Sequence, residues 1–306
     1  MKILITGSSG FIGSNLSRFF LSQGNFVYGI DRSGPNHLNE SNQDNFTFLP
    51  VNLPHPDLEI VLRDFQPDSI IHAAGMASVM YSVMNPLDDF LASTQLFFYL
   101  LDTVRRVAPD SKIVFLSSAA VYGNPQSLPV KEEQEIQPVS PYGYHKALCE
   151  KIVEEFVNLY HLHACSVRIF SAYGPGLRKQ IFWDICEKIQ SAPQISLMGT
   201  GKETRDFIYI DDIASAINVI CKKSSFEADV YNLGNGEEIS VGYIANLLRK
   251  VCRSSKDIHF SGQHRDGDPL HWCADNSKIR NLGYAPKISF DKGVNNYVKW
   301  FLEEIT

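Results

Sequence analysis

The sequence predicts an α/β fold: a doubly wound parallel sheet with a smaller C-terminal lobe. Short, almost wholly apolar strand segments alternate with helical stretches through the first half of the chain. The first strand runs into three glycines spaced G-x-x-G-x-x-G and then into an apolar helical pattern. After residue 174 the strand–helix alternation lapses and Gly, Pro and Gln take over. Residues 1–174, with 207–233 contributing, are therefore expected to form the larger domain, and 175–306 mainly the smaller lobe.

Ile3, Leu4 and Ile5 make the first buried strand, and Gly7, Gly10 and Gly13 follow it. Phe11 opens a helical pattern that continues through Ile12, Leu16, Phe19 and Phe20. A strand, a glycine turn and a helix start leave unpaired backbone N–H groups at the positive end of a helix dipole, where a pyrophosphate can sit. A Cβ at these positions would block the tight turn, the approach of the phosphate or the packing of helix on strand. Three glycines alone also fit a turn that binds nothing. The strand before them and the helix after them select a dinucleotide-binding, Rossmann-type reading, with Gly7, Gly10, Phe11, Ile12 and Gly13 as cofactor contacts.

The second strand, 26–30, ends at Asp31. A carboxylate there can accept both ribose hydroxyls of an adenosine and would repel a 2′-phosphate, which favours NAD over NADP. Arg32 pulls the other way, since a guanidinium could hold that phosphate. Residues 33–45 read as a polar surface loop, and 46–49 as a third strand ending near Asn52 and Leu53, where an adenine edge could be recognised. Residues 58–65 have helical periodicity, and 69–72 form a fourth strand that ends in Ala73-Ala74-Gly75. Small residues at a strand's carboxyl end let a cofactor lie flat against the backbone.

Composition narrows the class. The chain has 306 residues, 44% hydrophobic and 20% charged, as in ordinary globular proteins. A net charge of −6 argues against a general nucleic-acid or membrane-surface binder. The six cysteines show no C-x-x-C pair and no metal-ligand spacing, and read as mostly buried reduced thiols. The sequence starts directly on a strand, without a signal-like segment, and nowhere holds 18 consecutive apolar residues, so a cytoplasmic enzyme is expected.

Residues 86–108 read as a long amphipathic helix whose apolar faces, with Phe90, Leu91, Phe97, Phe98, Leu101 and Val104, suit a core or a subunit interface. The fifth strand, 112–116, runs into Ser117-Ser118, two hydroxyls placed for a bound substrate or for a structural turn. Ser140-Pro141 opens the next helix. On it Tyr142 and Lys146 sit four apart and project from one face. Taking a proton from a carbinol while a hydride leaves for a nicotinamide needs such a pair. A phenol with a reference pKa of about 10 is a poor base at neutral pH, and a neighbouring ammonium favours the phenolate. Y-x-x-x-K is common by chance; its place after a serine-bearing strand end and a dinucleotide motif gives it weight.

At this point the chain resembles the extended short-chain dehydrogenase/reductase superfamily, in its nucleotide-sugar epimerase, dehydratase and reductase branch. The matching pieces are Gly7-Ser8-Ser9-Gly10-Phe11-Ile12-Gly13, His72-Ala73-Ala74-Gly75, Ser117-Ser118-Ala119-Ala120-Val121-Tyr122-Gly123, Ser140-Pro141-Tyr142-Gly143-Tyr144-His145-Lys146 and Arg168-Ile169-Phe170-Ser171-Ala172-Tyr173-Gly174-Pro175. Gly199-Thr200-Gly201, Arg205-Asp206-Phe207-Ile208-Tyr209, Arg265-Asp266-Gly267-Asp268-Pro269 and Ala274-Asp275 follow in the expected order. The resemblance implies that Ser118, Tyr142 and Lys146 match the family's catalytic triad, and that Arg205 and Arg265 look like the arginines holding a sugar-nucleotide diphosphate. Two arginines far apart in sequence can each offer a planar donor fork to phosphate oxygens. Asp268 either binds a nucleoside ribose or orients Arg265.

Departures from the branch narrow the chemistry. Sugar 4,6-dehydratases carry an acidic pair after the catalytic hydroxyl; here Ala119 and Ala120 stand there, so dehydration lacks its acid and base. Ser171 replaces a usual asparagine against the substrate, Asn52 a common aspartate against adenine, and Ser93 an asparagine on the long helix. The leading expectation is an NAD-dependent epimerase at C4 of a nucleotide-diphosphate sugar, working through a transient 4-keto sugar. The alternative is an NAD(P)H-dependent reductase of an NDP-4-keto-6-deoxy sugar; a non-catalytic nucleotide-sensing module on the same fold is a third. Homodimerisation, the family's habit, would pair the helices at 86–108 and after Ser140.

Overall fold

In a computed structural model of the protein, residues 1–34, 44–263 and 270–305 are described. Seven parallel strands form the central sheet: Lys2–Thr6 (β1), Phe26–Asp31 (β2), Phe46–Pro50 (β3), Ser69–His72 (β4), Lys112–Ser118 (β5), His163–Ile169 (β6) and Glu227–Leu233 (β7). Their spatial order is β7-β6-β5-β4-β1-β2-β3. From β1 the chain winds outward through β2 and β3, then returns to β4 on the other side of β1 and continues outward. The order thus reverses between β1 and β4, where Ile5 lies beside Ile71 and Thr6 beside His72. A crevice opens beyond the carboxyl ends of the strands at such a reversal.

Both faces of the sheet are covered, which explains the unbroken apolar runs of its strands. Because side chains alternate along a strand, Ile3, Ile5, Ile71, Val114, Leu116 and Val167 fall on one face and pack with Leu16, Phe20, Ile213 and Ile217. Leu4, Ile70, Ile113 and Phe115 fall on the other and pack with Leu58, Leu62, Leu100, Val104, Val153 and Phe156. Each such side chain, fully buried, contributes roughly 1.5–3 kcal/mol.

Beyond the central sheet the chain forms a group of short strand pairs. Ser171–Tyr173 runs parallel to Phe207–Tyr209, Thr204–Arg205 antiparallel to Ile239–Ser240, and Ile195–Leu197 parallel to Ile258–Phe260. The helices Gln180–Ser191, Val241–Val251 and Phe290–Ile305 cover them. Tyr173, Phe182, Phe207, Phe290 and Tyr297 form their aromatic centre, with ring centroids 4.8–6.2 Å apart along the chain of contacts. None of the described helices is long and apolar enough to cross a membrane.

One expectation is corrected. The stretch 175–205 holds a twelve-residue helix, Gln180–Ser191, with Phe182, Ile185, Cys186 and Ile189 buried at helical spacing. The flanking Gly and Pro residues mask that period in the sequence. The long helix expected at 86–108 is present, running unbroken from Pro86 to Val107, with a π turn over Leu91–Gln95 inside it. Within it the Ser93 hydroxyl donates to the carbonyl of Asp89, one turn back.

Candidate active site

The glycine loop lies at the crevice between β1 and β4. Gly7 has φ +71°, and a Cβ on it would stand 2.6 Å from the Ala74 nitrogen and 2.7 Å from the Ala73 carbonyl. A Cβ on Gly13 would stand 2.0 Å from the Gly7 oxygen. Glycine is therefore required twice, once to lay the loop on Ala73-Ala74 and once to seat the helix Phe11–Ser22 on the loop. Gly10 caps that helix in an extended conformation and closes the turn by donating to the Gly7 carbonyl at 3.1 Å. No side chain caps this helix start, so its dipole faces the crevice.

Asp31 ends β2 beside the loop. Its carboxylate accepts from the Ser9 backbone N–H at 3.0 Å and the Ser33 N–H at 3.3 Å, which orders the loop around it. Arg32 is exposed, as are Asn52 and Gly75, whereas Leu53 is buried in the core beneath them. Ala73 and Ala74 line the crevice floor, with the Ala73 N–H donating to the Thr6 carbonyl at 3.0 Å. The cradle leaves room where a Cβ would intrude and offers donors at a helix start. It fits a dinucleotide's pyrophosphate.

Ser118, Tyr142 and Lys146 gather at the end of β5. Ser118 closes the strand, and its hydroxyl accepts from the Ala120 N–H at 3.2 Å, capping a short 3₁₀ turn, Ala119–Tyr122. Ser140 caps the helix Pro141–Tyr160 by accepting from the Gly143 N–H at 3.2 Å. Tyr142 and Lys146 share one face of that helix. The Lys146 ammonium is buried, donates to the Leu116 carbonyl at 2.8 Å, and lies 5.8 Å from the Tyr142 ring centre and 4.8 Å from that of Phe115. Its charge thus lies beside the Tyr142 ring. The Tyr142 N–H donates to the Ser82 hydroxyl at 3.0 Å, which fixes the entry of the helix.

Beneath this group His72 ends β4. Its Nδ1 pairs with the Thr6 hydroxyl at 2.8 Å, and its ring centre lies 4.9 Å from that of Phe97 and 6.2 Å from that of Phe115. Burial, reinforced by the Lys146 charge, pulls its pKa down to about 3, so the imidazole is neutral.

Only one of the two serines faces the crevice. Ser117 is buried, and its hydroxyl donates to Glu150 at 2.6 Å. Glu150 takes a two-pronged ion pair from Arg168, at 2.7 Å at its shortest, with both side chains almost fully buried. Arg168 donates on to the Tyr122 hydroxyl at 2.6 Å, which donates to Asn232 at 2.7 Å. Burial lifts the Tyr122 phenol to about 12 against the pull of Arg168, and it stays neutral. Of the two readings open for the serine pair, the structural one holds for Ser117: strand alternation turns it inward, to a network that ties the end of β5 to the helix bearing Tyr142.

Across the crevice, Ser171 donates its N–H to the Asp206 carbonyl at 2.9 Å. Arg205 donates to the Thr204 carbonyl at 2.8 Å and lies 5.6 Å over the Trp272 ring. The Trp272 indole N–H donates to the Gly123 carbonyl at 3.1 Å, joining this side of the crevice to the turn after Ser118. Arg265 and Asp268 lie outside the described residues.

Residues that sequence reasoning passed over include Gly143, Glu150 and Asp206. A Cβ on Gly143 would stand 2.5 Å from the Ala120 oxygen, so this glycine lets the Tyr142 helix seat on the Ser118 turn. Asp206 is fully buried and accepts from the backbone N–H groups of Asn235, Gly236 and Ala274 at 2.6–2.9 Å. Burial pushes its carboxyl up to about 6 while those three donors restrain the rise. The signal in sequence was its place beside Arg205, with its partners dozens of residues away.

Residues 3–234 match the model of the NAD dependent epimerase/dehydratase family. The UDP-glucuronate 4-epimerase of Thermodesulfobacterium geofontis is 30% identical, over 99% of this chain and 96% of its own. The solved UDP-N-acetylglucosamine 4-epimerase from Methanobrevibacter ruminantium M1, in complex with UDP-N-acetylmuramic acid, is similar with a TM-score of 0.91 at 28% identity, covering 99% of this chain and 98% of that one. The UDP-glucuronic acid 4-epimerase from Bacillus cereus, in complex with UDP-glucuronic acid and NAD, gives 0.90 at 27% identity over 99% and 100%. By a family model that takes in most of the sequence and by likeness along its full length, this protein belongs to the NAD dependent epimerase/dehydratase family.

Proposed function

We propose that the protein is an NAD-dependent epimerase that inverts C4 of a nucleotide-diphosphate sugar through a transient 4-keto sugar. The observation that carries this is the convergence of Ser118, Tyr142 and a buried Lys146 at the strand end next to the glycine cradle. In the cradle Gly7, Gly10, Phe11, Ile12 and Gly13 would hold the pyrophosphate of NAD, Asp31 the adenosine ribose with Arg32 at its edge, Asn52 and Leu53 the adenine, and Ala73, Ala74 and Gly75 the flat run toward the nicotinamide. NAD, when bound, supplies a reversible hydride acceptor. NADP fits less well, because Asp31 would repel its 2′-phosphate.

Tyr142 takes the proton of the sugar 4-hydroxyl, and Ser118 hydrogen-bonds the same oxygen. Lys146 supports the charge on the phenol. Arg205 and Arg265 hold the diphosphate while the keto sugar turns over, with Asp268 and Ser171 as further contacts, and Tyr142 returns the proton after the opposite face has been presented. Residues 175–306 would contribute mainly to this sugar-nucleotide side, and residues 1–174 with 207–233 to the cofactor side. Ala119 and Ala120 lack the groups for water elimination.

Homodimerisation belongs to the same reading. A groove of about 630 Å³ between the helices Leu96–Val107 and Pro141–Tyr160 is lined by Phe90, Phe98, Leu148 and Ile152, and Phe98 and Leu148 are exposed in the single chain. A second copy would cover it.

The test is incubation of the purified protein with UDP-, dTDP-, GDP- and CDP-hexoses without added cofactor, followed by analysis of the sugar. A C4-inverted product is expected from at least one of them. Inertness toward all of them, with turnover of a 4-keto-6-deoxy sugar only on added NAD(P)H, would replace the epimerase with the reductase.

A further inference from the structure

The helix that carries Tyr142 and Lys146 holds one half of a second pair that the proposed chemistry does not use. His145 directly precedes Lys146, and its Nδ1 lies 2.5 Å from a carboxylate oxygen of Asp89. Asp89 sits on the helical segment Pro86–Phe90 and is fully buried, and the His145 side chain is only 13% exposed. The second Asp89 carboxylate oxygen is also buried and has no hydrogen-bond partner among the described residues. The Phe90 ring meets His145 edge-on, with the two ring centres 5.5 Å apart. A carboxylate left half satisfied in a dry place is costly to keep. If packing were all that counted, two apolar side chains would serve at least as well.

What the pair connects gives it a use. Directly after Phe90 comes the π turn Leu91–Gln95. Its Ser93 hydroxyl donates to the Asp89 carbonyl, and its Thr94 hydroxyl donates to the His145 carbonyl at 3.5 Å. The same turn meets the end of the proposed cofactor floor: a Cβ on Gly75 would stand 3.4 Å from the Ala92 carbonyl oxygen and 3.8 Å from the Ser93 Cβ. Asp89 and the π turn thus link Gly75, toward which the nicotinamide would lie, to the helix that presents the phenol.

We infer that Asp89 and His145 form a clamp that sets the Tyr142–Lys146 helix at a fixed distance from the nicotinamide floor, and that both are positioning residues for hydride transfer. The inference rests on the roles proposed above for Tyr142 and Gly75. Two apolar side chains could slide past one another, whereas a 2.5 Å contact with a buried carboxylate admits one separation and one ring orientation. His145 is one residue from Lys146 and about one turn from Tyr142, so a shift at the clamp passes to both through the helix. The Ser82 hydroxyl already fixes the helix start at the Tyr142 N–H, and the clamp supplies a second fixed point one turn further on. Reaction geometry is sensitive on this scale: a displacement of about 1 Å costs on the order of 10²-fold in rate.

The test begins with wild-type protein, assayed for C4 inversion of a nucleotide sugar and for NAD(P)H-dependent reduction of a 4-keto sugar, since Tyr142 serves both. Protein inert in both assays overturns the proposed function and this inference together, before any variant is made. The double variant Asp89→Leu/His145→Leu then removes both partners and leaves no charge buried alone. It is expected to keep the wild-type unfolding midpoint within a few degrees, to keep KM within about threefold, and to lose about 10- to 100-fold in turnover. Deuterium on the transferred hydrogen should slow it by a larger factor than it slows wild type, because hydride transfer has become the slower step. A smaller folded fraction would leave that factor unchanged. Asp89→Asn keeps an oxygen for the Nδ1–H and should stay within about threefold of wild-type turnover. Wild-type turnover in the double variant, an unchanged deuterium factor, or Asp89→Asn as slow as the double variant would overturn the clamp. Failure of the double variant to fold would overturn it as well, by making the pair a requirement of the fold rather than of the reaction.

Discussion

The two walls of the crevice are made by different means. On the proposed cofactor wall the sequence works by leaving side chains out: Gly7, Gly13, Ala73 and Ala74 let backbone meet backbone, and the hydrogen bonds that hold the loop are mostly main-chain. On the proposed sugar wall it works by putting charges in. Lys146, the Glu150–Arg168 pair and Asp206 are buried, each tied to groups far away in sequence. Backbone packing gives a fixed shape that suits any dinucleotide. Buried charge networks are costly to leave half-made, and so fix one arrangement of reacting groups.

The sharpest way to break that contrast is at the group both walls serve. Tyr142→Phe removes the proton acceptor and no hydroxyl bond that the fold uses. Turnover measured with an accepted nucleotide sugar should fall about 10²- to 10⁴-fold, while the thermal midpoint stays within a few degrees of wild type. A variant that loses stability along with activity would show that the phenol is a packing residue.

Second in size is the sugar wall. Glu150→Leu leaves Arg168 buried and unpaired, and uncompensated charges of this kind cost about 3–5 kcal/mol. Denaturant unfolding should report that loss, with turnover falling in the protein that stays folded because Ser117, and with it the strand end bearing Ser118, loses its anchor. An unchanged unfolding midpoint would remove the network from the account.

On the cofactor wall Gly13→Ala drives a Cβ to within 2.0 Å of the Gly7 oxygen, so the helix Phe11–Ser22 must lift from the loop. Overpacking at this distance should cost about 3 kcal/mol. Unlike Glu150→Leu, it should weaken NAD binding, read by calorimetry, more than it shifts KM for the sugar nucleotide. Equal effects of the two variants on both ligands would erase the distinction between the walls.

This distinction also explains what was legible in the sequence. The cofactor wall is local: Gly7 to Gly13 lie within one turn, and Ala73-Ala74-Gly75 follows its strand directly, so spacing alone points to them. The sugar wall is long-range. Tyr142 and Lys146 could be paired because they lie one helical turn apart, whereas Ser118 was singled out from Ser117 only by resemblance, and what Ser117 does emerges only with Glu150, 33 residues on. Asp206 could not be given a role without Asn235 and Ala274. In the same way, the period of Phe182, Ile185, Cys186 and Ile189 was hidden by the residues on either side, and the π turn at Leu91–Gln95 leaves no mark in a hydrophobic pattern.

His72 belongs to both walls and gives the smallest, most specific test. Its Nδ1 is held by Thr6, just before the glycine loop, and its neutrality is enforced first by burial and then by the Lys146 ammonium. In the folded protein it titrates at about 3, against 6.5 for a free imidazole. Below pH 6.5 the unfolded chain binds a proton that the native state refuses, so this residue's share of stability is present above that pH and is lost as pH falls toward 3. Between pH 7 and pH 5 the loss amounts to about 2 kcal/mol. His72→Asn keeps a polar atom toward Thr6 but does not titrate. Unfolding free energies should therefore drop more steeply with acid in the wild type than in the variant, by that difference. Lys146→Met, which removes the charge but leaves the burial, should recover only the smaller part of it. If it recovers most, the ammonium rather than the dry site governs the imidazole, and the two walls are coupled through charge instead of packing.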